Sequence, residues 1–201
     1  MLLIGILKGQ ALIDSRKAQL LGDDFRNISL YLHEYQGKFK ALPGDDPTIG
    51  TANTHLAGAV SCAPAAAGKC MTGNGIIDGY WNDTTTASES FVFWQHVRLA
   101  NLMTGDTDIS STNYLAKNAV GGSLGITNQN ATPIVGLKGA QLICSDHIVG
   151  KFAKQIDLAL DDGNTATGSV MVTVAGTVTG GGLIARDSIV DSNFYLVCMG
   201  I

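Results

Sequence analysis

The fold is decided by residues 2–40, which read LLIGILKGQALIDSRKAQLLGDDFRNISLYLHEYQGKFK. In the second half of this stretch, apolar residues recur at alternating steps of three and four, a spacing that places them on one face of an α-helix. A continuous helix over the whole stretch would be roughly 58 Å long, about twice the span of a compact domain of this size. We therefore predict a helix that extends beyond its own domain. Its apolar face comprises Ala18, Leu21, Phe25, Ile28, Leu32, Tyr35 and Phe39.

The two ends of this helix differ in polarity. Residues 18–39 carry charged side chains away from the apolar face, so this half can pack on a domain while its other face stays in water. Residues 2–7 are apolar on every side but too few to cross a bilayer unaided, so this end is expected to be buried in lipid or among other protein chains. A long coiled coil is the alternative, but it does not explain the apolar end. The residues expected to drive assembly are Leu2, Leu3, Ile4, Gly5, Ile6, Leu7 and Gly9.

Helix signals continue beyond this stretch. Pro43 and Gly44 end the first helix, because a proline disfavours helical geometry at the preceding residue. Ser88 is a candidate N-cap for a second helix that reaches Gly105. A third helix is predicted over residues 145–160, since apolar side chains repeat there every four residues.

The C-terminal part has the composition of β-strands. Residues 169–174 and 194–198 are rich in β-branched and aromatic side chains, and residues 179–182 form a glycine turn before the segment 183–190. Residues 106–140 are polar and glycine-rich, which is typical of loops with short strands. The order of elements predicts an α+β fold with a C-terminal antiparallel meander.

Length and charge limit the classes of protein that this chain can belong to. With 201 residues, one domain is expected, here divided into a helical stalk (1–42, of which 1–10 is the core or membrane part) and a globular head (43–201). The net charge of −4 provides no positive field for nucleic acid, so no nucleic-acid partner is expected. A hydrophobic share of 45% excludes intrinsic disorder.

The four cysteines indicate the redox compartment. Cys62, Cys70, Cys144 and Cys198 contain no CxxC spacing and no nearby histidine pair, which disfavours a zinc site and favours two disulfides in an oxidising compartment. Cys62 and Cys70 bracket a turn-like run, so the economical pairing is Cys62 with Cys70 and Cys144 with Cys198. Four buried free thiols are the alternative.

Several short stretches combine in a way that is typical of one family. They are KGQALI at residues 8–13, YQGKFKALPGDDP at 35–47, GNG at 73–75 with DGYW at 78–81, ESFVFWQH at 89–96 and IDLALDDG at 156–163. Together with the glycine-marked apolar helix, they resemble the prepilin-type proteins, which are the type IV pilins and the pseudopilins of type II secretion. The family's basic leader and its Phe-Thr-Leu-Ile-Glu start are absent. We interpret this as a truncated chain, so no residue takes the role of the leader-peptidase site or the methylated N-terminus.

The resemblance implies a pilin-like fold and a structural, non-enzymatic role. Subunits of this family lie in the inner membrane before assembly and are then polymerised through the N-terminal helix into an extracellular filament by a pilus or secretion machinery. The head faces outward at the cell surface. The alternatives within the family are a type II secretion pseudopilin and a minor tip pilin that binds a ligand through the loops at 50–85 or 106–140.

Two glycines interrupt the apolar end of the helix. Gly5 and Gly9 cost up to about 1 kcal/mol each relative to alanine. The resemblance implies that they allow the helix to unwind locally when the filament packs, as in some family members. A close helix contact through the GxxxG spacing is the alternative.

Acidic residues next to glycine or asparagine suit Ca²⁺ coordination by carboxylate and backbone oxygens. Among them the resemblance points to Asp161 and Asp162, because some pseudopilins bind Ca²⁺ in loops near the C-terminal sheet. Turn formation and helix termination by these residues is the alternative. No other cofactor is expected.

One sequence motif matches a known catalytic motif. The run GGSLG at residues 121–125 matches the GxSxG nucleophile elbow of serine hydrolases, which makes a secreted serine hydrolase the alternative of a different class. An elbow lies between a strand and a helix, whereas residues 126–130 are turn-like. The histidine that follows in the chain, His147, comes directly after Asp146. We therefore expect a protein that is not an enzyme.

Overall fold

The computed structural model describes residues 2–63 and 68–201, and in the first helix it describes side chains from residue 9 onward. The described chain is α+β, as the order of sequence signals predicts. In chain order the elements are α1 (Leu2–Phe39), α2 (Glu89–Leu99), β1 (Leu124–Asn128), β2 (Gln141–Val149), α3 (Gly150–Leu160), β3 (Val170–Val174) and β4 (Phe194–Gly200), with short 3₁₀ helices at Gln129–Ala131 and Arg186–Ser188.

Helix α1 has 38 residues and ends at Phe39. The next residue, Lys40, takes a left-handed φ of 58° and donates its N–H to Gln36 O at 2.9 Å, which closes the last turn. The predicted apolar face is buried from Ala18 to Tyr35, mainly against α3 and the sheet. Burial of this face, rather than helix propensity alone, holds the second half of α1 on the head.

The four strands form one antiparallel sheet in the order β1-β2-β4-β3. Strands β2 and β4 lie inside the sheet, where Cys144 is directly opposite Cys198. Strands β1 and β3 are the edges. The two predicted C-terminal strands are confirmed as β3 and β4, and they are adjacent and antiparallel.

The prediction of a helix beginning at Ser145 is wrong. Residues 145–149 complete β2, and α3 begins at Gly150. Six residues from Gln141 to Asp146 are buried, as expected for a strand paired on both sides. Because buried and exposed residues do not alternate in this run, its sequence lacks the two-residue period that would separate a strand from a helix. Ile148 lies in β2, although it is four residues before Phe152 and therefore fits the spacing of the apolar side chains in α3.

Two other boundaries differ from the sequence prediction. Helix α2 ends at Leu99 and does not reach Gly105, because Asn101 takes a φ of 61° and Leu102 N–H bonds back to Val97 O at 3.0 Å. The segment 183–190 contains a 3₁₀ helix instead of a strand of a meander. Ser88 precedes α2 as predicted, but its side chain makes no capping hydrogen bond.

Within the described residues, none of the helices combines the length and the apolar character that a membrane span needs.

Candidate functional site

The first half of α1 is a candidate assembly surface. From residue 10 to residue 17 only Asp14 is partly buried, and it forms an ion pair with Lys151 Nζ at 2.6 Å. Leu12 and Ile13 are 73% and 58% exposed. A helix that turns two adjacent large aliphatic side chains to solvent has a surface suited to contact with another chain.

The predicted assembly residues fall mostly beyond this surface. The side chains of residues 2–7 lie outside the described residues, so the roles predicted for them stay predictions. The backbone of α1 is helical from Leu2 and continuous through Gly5 and Gly9. Apart from the neighbouring backbone of its own helix, a Cβ placed on Gly9 would have no described atom within 4 Å. Both interpretations of the glycines concern contacts with other chains, and both stay predictions.

The four cysteines form the two disulfides that their spacing favours. Cys62 is joined to Cys70 across a loop, and Cys144 is joined to Cys198 between the two inner strands. Cys144 and Cys198 are fully buried. Disulfides of this kind persist in oxidising compartments such as the cell exterior.

Three carboxylates meet at the C-terminal end of α3. Asp157, Asp161 and Asp162, which we call the α3 cluster, each offer an oxygen that lies within 4.8 Å of the oxygens of the other two. Asp161 Oδ2 accepts the N–H of Val170 at 2.9 Å, and Asp162 Oδ1 accepts the N–H of Asn164 at 2.8 Å. The loop after α3 therefore holds two of the carboxylates facing the third.

Asp157 is the unusual member of the α3 cluster. Its side chain is fully buried, and neither Oδ1 nor Oδ2 has a hydrogen-bond partner among the described residues. Burial, followed by the charges of Asp161 and Asp162, raises the pKa of Asp157 to about 6. The Arg186 guanidinium acts in the opposite direction, but its Nη1 donates to the carbonyl oxygens of Lys154 and Gly163.

The geometry of the α3 cluster fits a hard divalent cation. Ca²⁺ binds oxygen ligands at about 2.3–2.6 Å, so two ligands on opposite sides of the ion are roughly 5 Å apart. Three carboxylate oxygens within 4.8 Å of one another match that spacing. A bound cation would also supply the partner that the Asp157 oxygens lack.

The structure brings the two predicted calcium residues, Asp161 and Asp162, together with Asp157, which the sequence prediction missed; the calcium role itself stays a prediction. Asp157 is four residues before Asp161, so one helical turn brings the two carboxylates together. That spacing was the available signal. The burial of Asp157 could not be predicted from the sequence, because it depends on which residues pack over α3.

A second group of carboxylates, Asp45, Asp78 and Glu89, lies at the start of α2, and we call it the α2 cluster. All three side chains are buried, with Glu89 completely inaccessible. Glu89 is the first residue of α2, and its Oε2 accepts the N–H of Asp78 at 2.8 Å. Burial raises the pKa of Glu89 to about 8.

Backbone and amide donors satisfy the other two members of the α2 cluster. Asp45 accepts N–H groups from Gly73, Asn74 and Gly75, the last at 2.7 Å. The oxygens of Asp78 accept from the side-chain amides of Asn74 at 2.9 Å and Asn128 at 3.2 Å. The α2 cluster therefore fastens the loop at residues 73–78 beneath α2 and has a structural role.

The GxSxG motif at residues 121–125 does not form a nucleophile elbow. Ser123 lies directly before β1, whereas an elbow serine follows a strand and precedes a helix. Ser123 Oγ accepts a hydrogen bond from Lys117 Nζ at 3.4 Å, and His147 Nδ1 is 2.9 Å from Asp146 Oδ2. Within the described residues no hydrogen bond joins Ser123 to His147.

Comparison with known proteins gives no relative from which a function can be transferred: profiles of protein families, curated proteins and solved structures all yield no match.

Proposed function

We propose that this chain is a structural subunit of an extracellular type IV pilus-like filament and polymerises through its N-terminal helix. The observation that carries the proposal is the division of α1, whose second half is buried on the head while residues 10–17 extend into solvent with Leu12 and Ile13 exposed. A single chain leaves this apolar helical surface in water, and neighbouring copies would cover it.

The free energy available from this contact is substantial. Complete burial of a leucine or isoleucine side chain contributes about 1.5–3 kcal/mol. Leu12 and Ile13 are 73% and 58% exposed, so covering both would supply a little more than one such amount for each subunit. The apolar residues 2–7 continue the same helix. Repetition along a filament multiplies the contribution at every subunit contact.

The head fits a location outside the cell. Its two disulfides suit an oxidising compartment, and the buried Cys144–Cys198 bridge ties the two inner strands of the sheet together. The inner membrane would hold the helix before assembly, and a pilus or secretion machinery would extract it. A pilin-like fold is part of the same proposal.

The test is electron microscopy of sheared surface material from cells that make the protein, with mass identification of the fibre subunit. Fibres composed of this chain support the proposal. The double variant Leu12→Asp with Ile13→Asp should abolish fibres, because it places charge in the subunit contact. Gln36→Asp, on the exposed face of the head half of α1, is the matched control and should leave fibres intact. A full-length chain that stays monomeric without detergent would overturn the proposal.

Two related roles are distinguished by abundance. A major subunit should form long surface fibres, which a type II secretion pseudopilin would not be expected to do. A minor tip subunit would be scarce in the fibre and would bind a ligand through its loops. Quantitative mass spectrometry of the fibres separates both from a major subunit.

A second proposed property is Ca²⁺ binding by the α3 cluster. The buried, unpartnered carboxylate of Asp157 supports it, because an ionised carboxylate in that position is stabilised by a cation between it and Asp161 and Asp162. Oxygen-only ligands favour Ca²⁺ over zinc.

Isothermal titration of the calcium-free protein with CaCl₂ tests this property. One saturable site is expected in the wild type and none in Asp157→Asn. Asp187→Asn removes an exposed carboxylate from the nearby 3₁₀ helix and should bind like the wild type. Equal binding by wild type and Asp157→Asn would exclude the site.

A further inference from the structure

A second feature of the head is a pocket with basic side chains, which we call the basic pocket. It has a volume of about 480 Å³ and lies where α1, the loop before β1, the bulge in β2 and the start of β4 meet. Lys17, Lys117 and His147 line it together with Ser123 and Phe194. The volume is in the range of roughly 300–1,000 Å³ that small-molecule sites occupy.

One wall of the basic pocket is held rigidly by Asn118. The Asn118 amide donates to Ser145 Oγ at 2.9 Å and to Asp146 O at 2.8 Å. Its Oδ1 accepts the N–H groups of Val120 and Gly122. Because Asn118 is buried, the two bonds that its amide donates fasten the loop to β2, and the two that its Oδ1 accepts hold the loop's own turn. The wall is therefore formed before any ligand arrives, which lowers the entropic cost of binding.

The bulge in β2 presents His147 to the pocket. His147 adopts a left-handed φ of 57°, a conformation that a non-glycine residue keeps only when its surroundings enforce it. Its side chain is 61% exposed, and Nδ1 lies 2.9 Å from Asp146 Oδ2. That contact orients the ring and leaves Nε2 free of any described hydrogen-bond partner. The ring centroid is 5.7 Å from that of Phe194.

The charge of the basic pocket differs from that of the whole chain. Among its described lining residues there are two lysines and a histidine but no carboxylate, although the chain carries a net charge of −4. The carboxylates around the pocket have other partners: Asp146 is engaged with His147 and with the N–H of Gly176 at 3.0 Å. Asp14 pairs with Lys151, and Asp24 accepts the N–H of Ala119. The lysines are thus available to an anionic group from outside.

We propose that the basic pocket binds a carboxylate carried on a ring. The carboxylate would lie against Lys17 and Lys117, and the ring would pack on Phe194, which is 55% exposed and offers one aromatic face. An acidic sugar and an aromatic acid share this chemistry. Binding does not require filament formation. Lys17 also belongs to the exposed stretch 10–17 that neighbouring copies would contact in a filament, whereas the other lining residues lie on the head and part of the site lies in the 106–140 loops.

Saturation-transfer NMR on the full-length protein tests the proposal. The method detects the signals of the ligand, so it can be used even when the protein forms large assemblies. The probes are glucuronate, benzoate and, as the neutral control, glucose. A saturable signal is expected from at least one acid, with strongest transfer to the ring protons, and none is expected from glucose. Whichever acid saturates identifies the source of the carboxylate. The absence of saturable binding by both acids, or equal binding of glucose, overturns the proposal.

Variants connect the signal to this pocket. Lys117→Gln should weaken acid binding roughly tenfold, the effect of losing one charged hydrogen bond, and Phe194→Ala should reduce transfer to the ring protons. Both side chains are exposed, so the fold is retained. Lys138→Gln is the control, because Lys138 is also exposed but lies beside Gly200, at the other end of β4. Binding that survives Lys117→Gln and Lys17→Gln unchanged would contradict the proposal.

Discussion

The α2 cluster and the α3 cluster contain three carboxylates each, but they lie at opposite ends of their helices. Glu89 opens α2, where the N–H groups and the positive end of the helix dipole favour a negative charge. Asp157 is in the last turn of α3 and Asp161 directly follows the helix. The dipole disfavours a negative charge there, and the last turn of α3 holds no basic residue. The helix dipole therefore favours a carboxylate charge at one cluster and disfavours it at the other, although burial raises the pKa of both Glu89 and Asp157.

Hydrogen bonding strengthens this difference. In the α2 cluster, backbone and amide N–H groups reach all three carboxylates. In the α3 cluster, the most buried carboxylate receives no hydrogen bond from any described residue. The comparison teaches that burial alone does not define a site: the buried Glu89 accepts a backbone N–H and fastens a loop, whereas the buried Asp157 has no described donor and its ionised form requires a cation.

The largest effect is expected from Asp45→Ala in the α2 cluster. This change leaves the N–H groups of Gly73, Asn74 and Gly75 without their acceptor, and the free energy of unfolding should fall by about 4 kcal/mol. Urea denaturation measures it. Asp187→Ala, at an exposed position, should change stability by less than about 0.5 kcal/mol. A loss as small as that of the control would mean that the α2 cluster is not a fastening.

The next effect is the pH dependence that Asp157 imposes in the absence of divalent cations. Its pKa is raised from 3.8 to about 6 by burial, so the folded state keeps a proton that the unfolded state loses. Stability from this residue is present below about pH 4 and is lost as the pH rises through about 6, by roughly 3 kcal/mol in total.

The measurement is chemical denaturation in EDTA at several pH values for the wild type and Asp157→Asn. Other acids also titrate, among them Glu89, whose pKa burial raises to about 8. Subtraction of the two profiles isolates Asp157. Parallel profiles over pH 4–7 would show that Asp157 does not titrate in this window.

Ca²⁺ should reverse that loss at neutral pH. At a concentration of about 100 times its dissociation constant, one bound ion stabilises the folded state by roughly 2.7 kcal/mol. The thermal midpoint should rise on adding CaCl₂ and fall back with EDTA in the wild type, and it should not respond in Asp157→Asn. An unchanged wild-type midpoint would leave the proton as the only partner of Asp157.

The smallest effect is expected from Asp162→Asn in the calcium-free protein. Asp162 is exposed, so its replacement should change stability by less than about 0.5 kcal/mol. The same variant should nevertheless bind Ca²⁺ more weakly, because it removes one charged ligand of the α3 cluster. Titration calorimetry and denaturation on the same sample compare the two quantities. A large loss of stability without Ca²⁺ would instead give Asp162 a structural role.

The α3 cluster was partly predictable from the sequence. Asp161 and Asp162 stand out beside Gly163, and the four-residue spacing to Asp157 was available as a signal. The basic pocket was not predictable, because Lys17, Lys117 and Phe194 are far apart in the chain and only the sheet and the loop held by Asn118 bring them together.

The sequence by itself determined the long helix, its two unlike halves, the stop near Pro43 and the two C-terminal strands, because each is a periodic or turn signal contained in a short window. It also favoured the cysteine pairing, since Cys62 and Cys70 are close in the chain. Only the tertiary structure decided that residues 141–149 form a strand. Residues 141–146 are buried without alternation, so the run lacks the two-residue period that would separate a strand from a helix, and the choice depends on the partners β1 and β4 elsewhere in the chain. The same dependence on distant neighbours determines which aspartate loses its water and therefore needs a cation or a proton.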